Sequence, residues 1–174
     1  MATKKAITES NESVALETES TPIIPKEVDP NQIIVVKNGF HGTLVYESPR
    51  THEVFRWESF GDEQEMELKE LRNVKSASKA FFENNWFMFG EEYAWVIRYL
   101  GLSRYYANAI NLEELDDVLR QPTKQLKELV SKLSKGQKNS LRYRVLELMS
   151  NGEIDSIKTI NALEEVLGVS LTEK

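Results

Sequence analysis

No cysteine occurs among the 174 residues. Disulfides, zinc–thiolate sites, iron–sulfur clusters and a cysteine nucleophile are excluded with it. Histidine is nearly as scarce, with only His41 and His52. The eight glycines stand at turns, and no Walker loop, dinucleotide fingerprint or kinase signature can be assembled from them. No run of about 18 apolar residues exists, so no membrane-spanning helix is expected. The N-terminus carries acids and no apolar h-region, so it does not read as a signal peptide. Neither charge dominates: 28 Asp and Glu against 22 Lys and Arg leave a net of −6, which argues against wrapping nucleic acid with the whole chain. Apolar residues are plentiful, at 40%, enough for one core and too many for wholesale disorder.

Residues 1–31 read as an extended or disordered arm. The first 21 are rich in Thr, Ser, Glu and Asn. Pro22, Pro25 and Pro30 then favour extended backbone, with Ile23 and Ile24 between them as anchors for a partner. Residues 32–90 read as a β module with a covering helix. Residues 32–37 are short and β-branched, and Asn38-Gly39 signals a hairpin turn. Residues 43–47, 52–60 and 65–68 supply further strands separated by Ser48-Pro49-Arg50-Thr51 and Gly61-Asp62. Such strands fit an antiparallel meander or a small SH3-like module that needs a helix or another chain over its apolar face. Leu68, Leu71, Val74, Ala77, Phe81 and Phe82 form that helix's stripe, and Trp86, Phe87, Met88 and Phe89 make an aromatic core.

Residues 91–174 read as a helical region. Short helices end at Gly101 and before Gln121-Pro122. A three-helix bundle follows, capped at Ser134 and Asp155 and closed at Gly168. Its inward positions include Leu126, Leu129, Val130, Leu133, Leu141, Val145, Leu146, Met149, Ile157, Ile160 and Leu163.

Three groups of residues carry charge or ligand chemistry. Glu58, Asp62, Glu63, Glu65, Glu67 and Glu70 crowd the last strand and the helix start, but the spacing is no calcium loop and suits a solvated face. His41 and His52 flank one hairpin without a third ligand, so no metal is assigned. Residues 123–149 hold seven basic side chains against Glu128 and Glu147. Lys135, Lys138 and Arg142 recur at i, i+3, i+7 and share a helix face, with Arg144 beside them. That face suits an acidic protein surface or phosphate. The helix that would read DNA bases carries Lys158 with Glu164 and Glu165 and lacks a set of Arg, Asn and Gln placed for base edges.

The stretch Gly42-Thr-Leu-Val-Tyr-Glu-Ser-Pro-Arg-Thr-His-Glu-Val-Phe-Arg-Trp-Glu-Ser-Phe-Gly61, with Glu70-Leu71, Phe81-Phe82-Glu-Asn-Asn-Trp86 and Gly152-Glu-Ile-Asp-Ser-Ile157, resembles structural proteins of tailed bacteriophages. The resemblance covers residues 32–170 and transfers no catalytic residue. It implies a non-enzymatic virion component, located in the virion or the host cytoplasm, whose arm laces neighbouring subunits. The expectation is therefore an α+β interaction protein without cofactor, metal or membrane partner. It would bind other subunits of a multi-copy assembly through Ile23, Ile24, Lys135, Lys138, Arg142 and Arg144. The alternative is a regulatory nucleic-acid-binding protein using the basic face of residues 124–144.

Overall fold

Alternation decides the strands. In the computed structural model, which describes residues 23–172, side chains along the first three strands turn inward at every second position. Strand β1 (Ile33–Asn38) buries Ile34, Val36 and Asn38; β2 (Leu44–Glu47) buries Leu44 and Tyr46; β3 (Val54–Trp57) buries Phe55 and Trp57; β4 (Glu63–Glu67) buries Met66. The protein is α+β, with small antiparallel sheets followed by helices.

The strand order differs from a meander. Strand β1 pairs antiparallel with β4, Ile33 opposite Glu67, and on its other edge with β5 (Phe87–Met88), Lys37 opposite Met88. Strands β2 and β3 form a separate hairpin, Leu44 opposite Trp57. Asn38-Gly39 therefore closes no hairpin between β1 and β2. The Asn38 N–H donates to the Asp62 carbonyl and its own carbonyl accepts from Gly61, both at 2.8 Å. Its side-chain amide donates to the carbonyls of Gly42 and Ser59, also at 2.8 Å. Gly39 is glycine because of close approach: a Cβ there would stand 2.2 Å from the Asn85 carbonyl oxygen.

Helix α1 (Leu68–Ala77) leaves β4 directly and lays Leu68, Leu71 and Val74 on the sheets. The single helix expected through Phe82 breaks at Ser78-Lys79, and α2 (Ala80–Glu83) starts afresh. The break turns Phe81 and Phe82 toward Phe87, whose ring centre lies 4.8 Å and 5.7 Å from theirs and 5.1 Å from Trp57. Phe87, Met88 and Phe89 are buried, as expected of a core, but Phe87 and Met88 also pair as a strand. Helix α3 (Ala94–Tyr99) adds Trp95 and Val96 to the same apolar cluster, Leu100 and Leu102 join it from the connection that follows, and α4 (Ser103–Tyr106) packs Tyr105 and Tyr106 against it.

The buried residues of a second cluster begin at Ile110. It is built by α5 (Leu115–Leu119), α6 (Thr123–Lys132), α7 (Lys135–Ser150) and α8 (Ile157–Leu167). Ser134 caps α7, accepting from the Gln137 N–H at 3.1 Å, and Gly168 ends α8 in the left-handed region at φ 68°. Helix α8 is capped by Ser156 rather than Asp155. Leu129 and Ile157, expected inside, are 40% and 73% exposed.

Helix α7 joins the two clusters. Leu141, Val145 and Leu148 enter the second. Gly136 and Ser140 meet the first through backbone: a Cβ on Gly136 would stand 2.1 Å from the Asn84 carbonyl oxygen, and the Ser140 hydroxyl donates to the Gly39 carbonyl at 2.7 Å. The Ser134 hydroxyl donates to the Asn84 carbonyl at 3.2 Å.

Candidate functional site

The i, i+3, i+7 spacing places Lys135, Lys138 and Arg142 along one wall of a groove of about 530 Å³. Asn139 belongs to the same wall. The opposite wall comes from the first cluster, through Phe40, Asn84 and Trp86. Leu167 and Val169, from the second cluster, complete it. The groove thus lies on the seam between the clusters. The half-buried Trp86 ring has Phe40 (5.8 Å, 73°) and Phe81 (5.7 Å, 86°) nearly perpendicular to it. The volume is in the range of ligand pockets, and the lining is apolar with a cationic edge.

Among the described residues, no acid lines this groove. Lys138 Nζ donates to the Ser131 carbonyl at 3.0 Å, which leaves its charge uncompensated. Arg142 Nε is buried and has no hydrogen-bond partner. Among the described residues, Lys135, Lys138 and Arg142 make no ion pair, whereas Lys127 pairs with Glu165 and Lys132 with Glu128. Three neighbouring unpaired cations beside low-dielectric apolar walls create a focused positive potential.

Arg144 goes elsewhere. Its Nε and one terminal nitrogen donate to the two Asp116 carboxylate oxygens at 2.8 and 2.6 Å, and the other donates to Glu147 at 2.8 Å. These bonds hold the Asp116 carboxyl below its ordinary range and push the guanidinium pKa up. Arg144 is a tie between α5 and α7, and its charge is compensated within the fold. The partner was unreadable from sequence because Asp116 lies 28 residues away. Phe40, Trp86, Leu167 and Val169 were likewise missed as groove residues, since nothing local in the sequence brings them to α7.

Ile23 is 87% exposed and Ile24 38%, so neither anchors to its own chain's core. The arm assigned to residues 1–31 is described only from Ile23 onward; residues 1–22 lie outside the described residues. Its last part is tied down: Val28 packs on the first cluster, and the Pro30 carbonyl accepts from the Lys69 N–H at 2.8 Å.

The histidines have separate surroundings. His41 stacks on Tyr143, with ring centres 4.6 Å apart, while His52 adopts φ 58° and stands 3.4 Å from Glu47. Among the described residues no group of three or more His, Cys, Asp and Glu side chains is placed to hold a metal. The acidic residues serve local structure. Asp62 accepts from the Ser59 hydroxyl and from the N–H groups of Ser59 and Glu58, which lowers its pKa. Glu63 pairs with Lys37, Glu67 with Lys69 and Glu58 with Arg56. Glu70 is buried. Burial alone pushes its carboxyl up, but the Tyr46 hydroxyl (2.7 Å) and the Asn73 amide (2.8 Å) more than offset this, and its pKa falls.

No helix among the described residues is long and apolar enough to cross a membrane. No protein-family model, curated protein or solved structure matches the chain.

Proposed function

We propose that the chain is a non-enzymatic interaction protein, a component of a phage particle or of its assembly. It holds acidic segments of neighbouring subunits in the groove beside α7. The observation that carries this reading is the set of Lys135, Lys138 and Arg142 beside an apolar floor, without a compensating acid in the lining. A ligand there gains apolar burial and charge pairing together, which bare surface charge does not provide. Weak single contacts become strong when many copies are arrayed. The virion location rests on the sequence resemblance, which implies the particle or the host cytoplasm during assembly.

A protein ligand suits the groove better than nucleic acid. Single-stranded nucleic acid is held by bases stacked on several aromatic side chains, whereas Trp86 is half-buried and the lining beside it, Leu167 and Val169, is aliphatic. The test is to purify mature and precursor particles from cells producing either the natural chain or Lys135→Glu/Lys138→Glu, and to quantify the chain by mass spectrometry. The natural chain is expected in particles and the variant at least tenfold depleted. Absence of the natural chain from both kinds of particle would overturn the virion reading. Equal incorporation of the variant would overturn the role of the groove.

A further inference from the structure

We propose that the segment held in the groove is residues 9–19 of a second copy of this chain, so that copies link head to tail. This rests on the reading above and names the partner. The groove asks for a ligand that presents apolar and acidic side chains together, since its lining sets the apolar Phe40, Trp86, Leu167 and Val169 beside the cationic Lys135, Lys138 and Arg142. Between residues 6 and 25 the chain has Glu9, Glu12, Glu17 and Glu19 and no basic residue. Val14-Ala15-Leu16 lies in the middle of those four acids. The pattern is the chemical complement of the groove in both respects, four carboxylates against three unpaired cations.

The dimensions agree. Lys135 and Arg142 are roughly 10 Å apart along the helix axis. Glu12 and Glu17 bracket the apolar triplet by roughly 17 Å when extended. The long lysine and arginine side chains span the difference. Two other exposed acidic pairs match less well: Glu91-Glu92 and Glu113-Glu114 stand on short turns with no exposed large apolar side chain beside them. Pro22, Pro25 and Pro30 disfavour helix and sheet between this segment and the body. Ile23, the first described residue, is 87% exposed. One segment and one groove per copy make a heterologous contact, which propagates into a ring or a filament rather than closing as a two-fold dimer.

Sedimentation of the full-length chain at low salt tests this. The mass-average should rise with concentration and fall back as salt is added. Val14→Asp/Leu16→Asp spoils the segment, and Lys135→Glu/Lys138→Glu spoils the groove. The second change puts two acids in the first turn of α7, where the helix dipole favours them, and circular dichroism checks that the fold is kept. Each variant alone should lose association at least tenfold. Mixed in equal amounts, they retain one intact segment and one intact groove, and should form a one-to-one heterodimer and nothing larger. Three results would each overturn the proposal: a full-length chain monomeric at every concentration, single variants that still associate, or a mixture that stays monomeric. A monomeric chain whose incorporation into particles still depends on Lys135 and Lys138 would remove this inference and leave the groove's role standing.

Discussion

Replacing Gly136 with alanine sets two effects of opposite sign against each other. Alanine favours helix over glycine by up to about 1 kcal/mol, so propensity alone predicts a gain. The new Cβ, however, would stand 2.1 Å from the Asn84 carbonyl oxygen and 2.7 Å from the Asn84 Cβ. Ordinary carbon contacts lie at about 3.5–4.0 Å, so one side must retreat by roughly 1 Å or more. Neither side gives readily. Asn84 is followed by Asn85 at φ 54°, whose side-chain amide donates to the Tyr105 carbonyl at 3.0 Å, and the Asn84 carbonyl is itself bonded by Ser134. Overpacking of this kind costs about 1–3 kcal/mol. The expected net is a loss of about 1–2 kcal/mol, or a drop in melting temperature of about 2–8 °C for a chain of this size. Thermal and urea unfolding followed by circular dichroism measure it, with Asn139→Ala on the same helix turn as a control expected within about 0.5 kcal/mol. A Gly136→Ala chain as stable as the natural one, or more so, would show that the seam is not packed through backbone contact.

Further outcomes follow from the same geometry. Ser140→Ala removes the donor to the Gly39 carbonyl and should destabilise by about 1–2 kcal/mol in urea unfolding, more than Ser131→Ala at an exposed position of α6. Glu70 has its pKa lowered on folding, so its contribution is present above the ordinary carboxylate value of 4.5 and is lost as pH falls through the lower folded value. Melting temperature against pH should therefore decline on the acid side for the natural chain and decline less for Glu70→Gln. A double-mutant cycle of Asp116→Asn and Arg144→Met should give a coupling of about 1–2 kcal/mol, as expected of a bidentate charged pair that is one-third exposed. Both single variants should leave groove binding unchanged, whereas Arg142→Met should weaken it several-fold.

The legible parts of this protein are those encoded by local pattern. Ile34, Val36, Tyr46, Phe55 and Trp57 fall on the inward side because period two survives in any antiparallel pairing. Ser134 and Gly168 mark helix ends because caps act over three or four residues. The losses share a different cause. Asn38-Gly39 has the strongest local turn signal, yet Asn38 is bonded to Asp62 and Gly61 and continues a strand, so distant partners override it. Phe87-Met88 is too short a strand for any period to show. Asp155 and Ser156 are both good capping residues, and composition does not separate neighbours. The basic face was visible as spacing. Which of its members remain uncompensated was not, because that depends on Asp116, Glu128 and Glu165 arriving from elsewhere in the fold or one turn away.

The position of the groove on the seam makes ligand capture and thermal resistance one quantity. Phe40 and Trp86 belong to one cluster, Leu167 and Val169 to the other, and α7 to the boundary between them. A segment seated there touches both clusters and binds only while both are folded. Occupancy at a hundred times the dissociation constant then adds about 2.7 kcal/mol to the whole chain, so the melting temperature reads out saturation directly. The free chain and the assembled one should differ in heat tolerance even if no backbone atom moves between them.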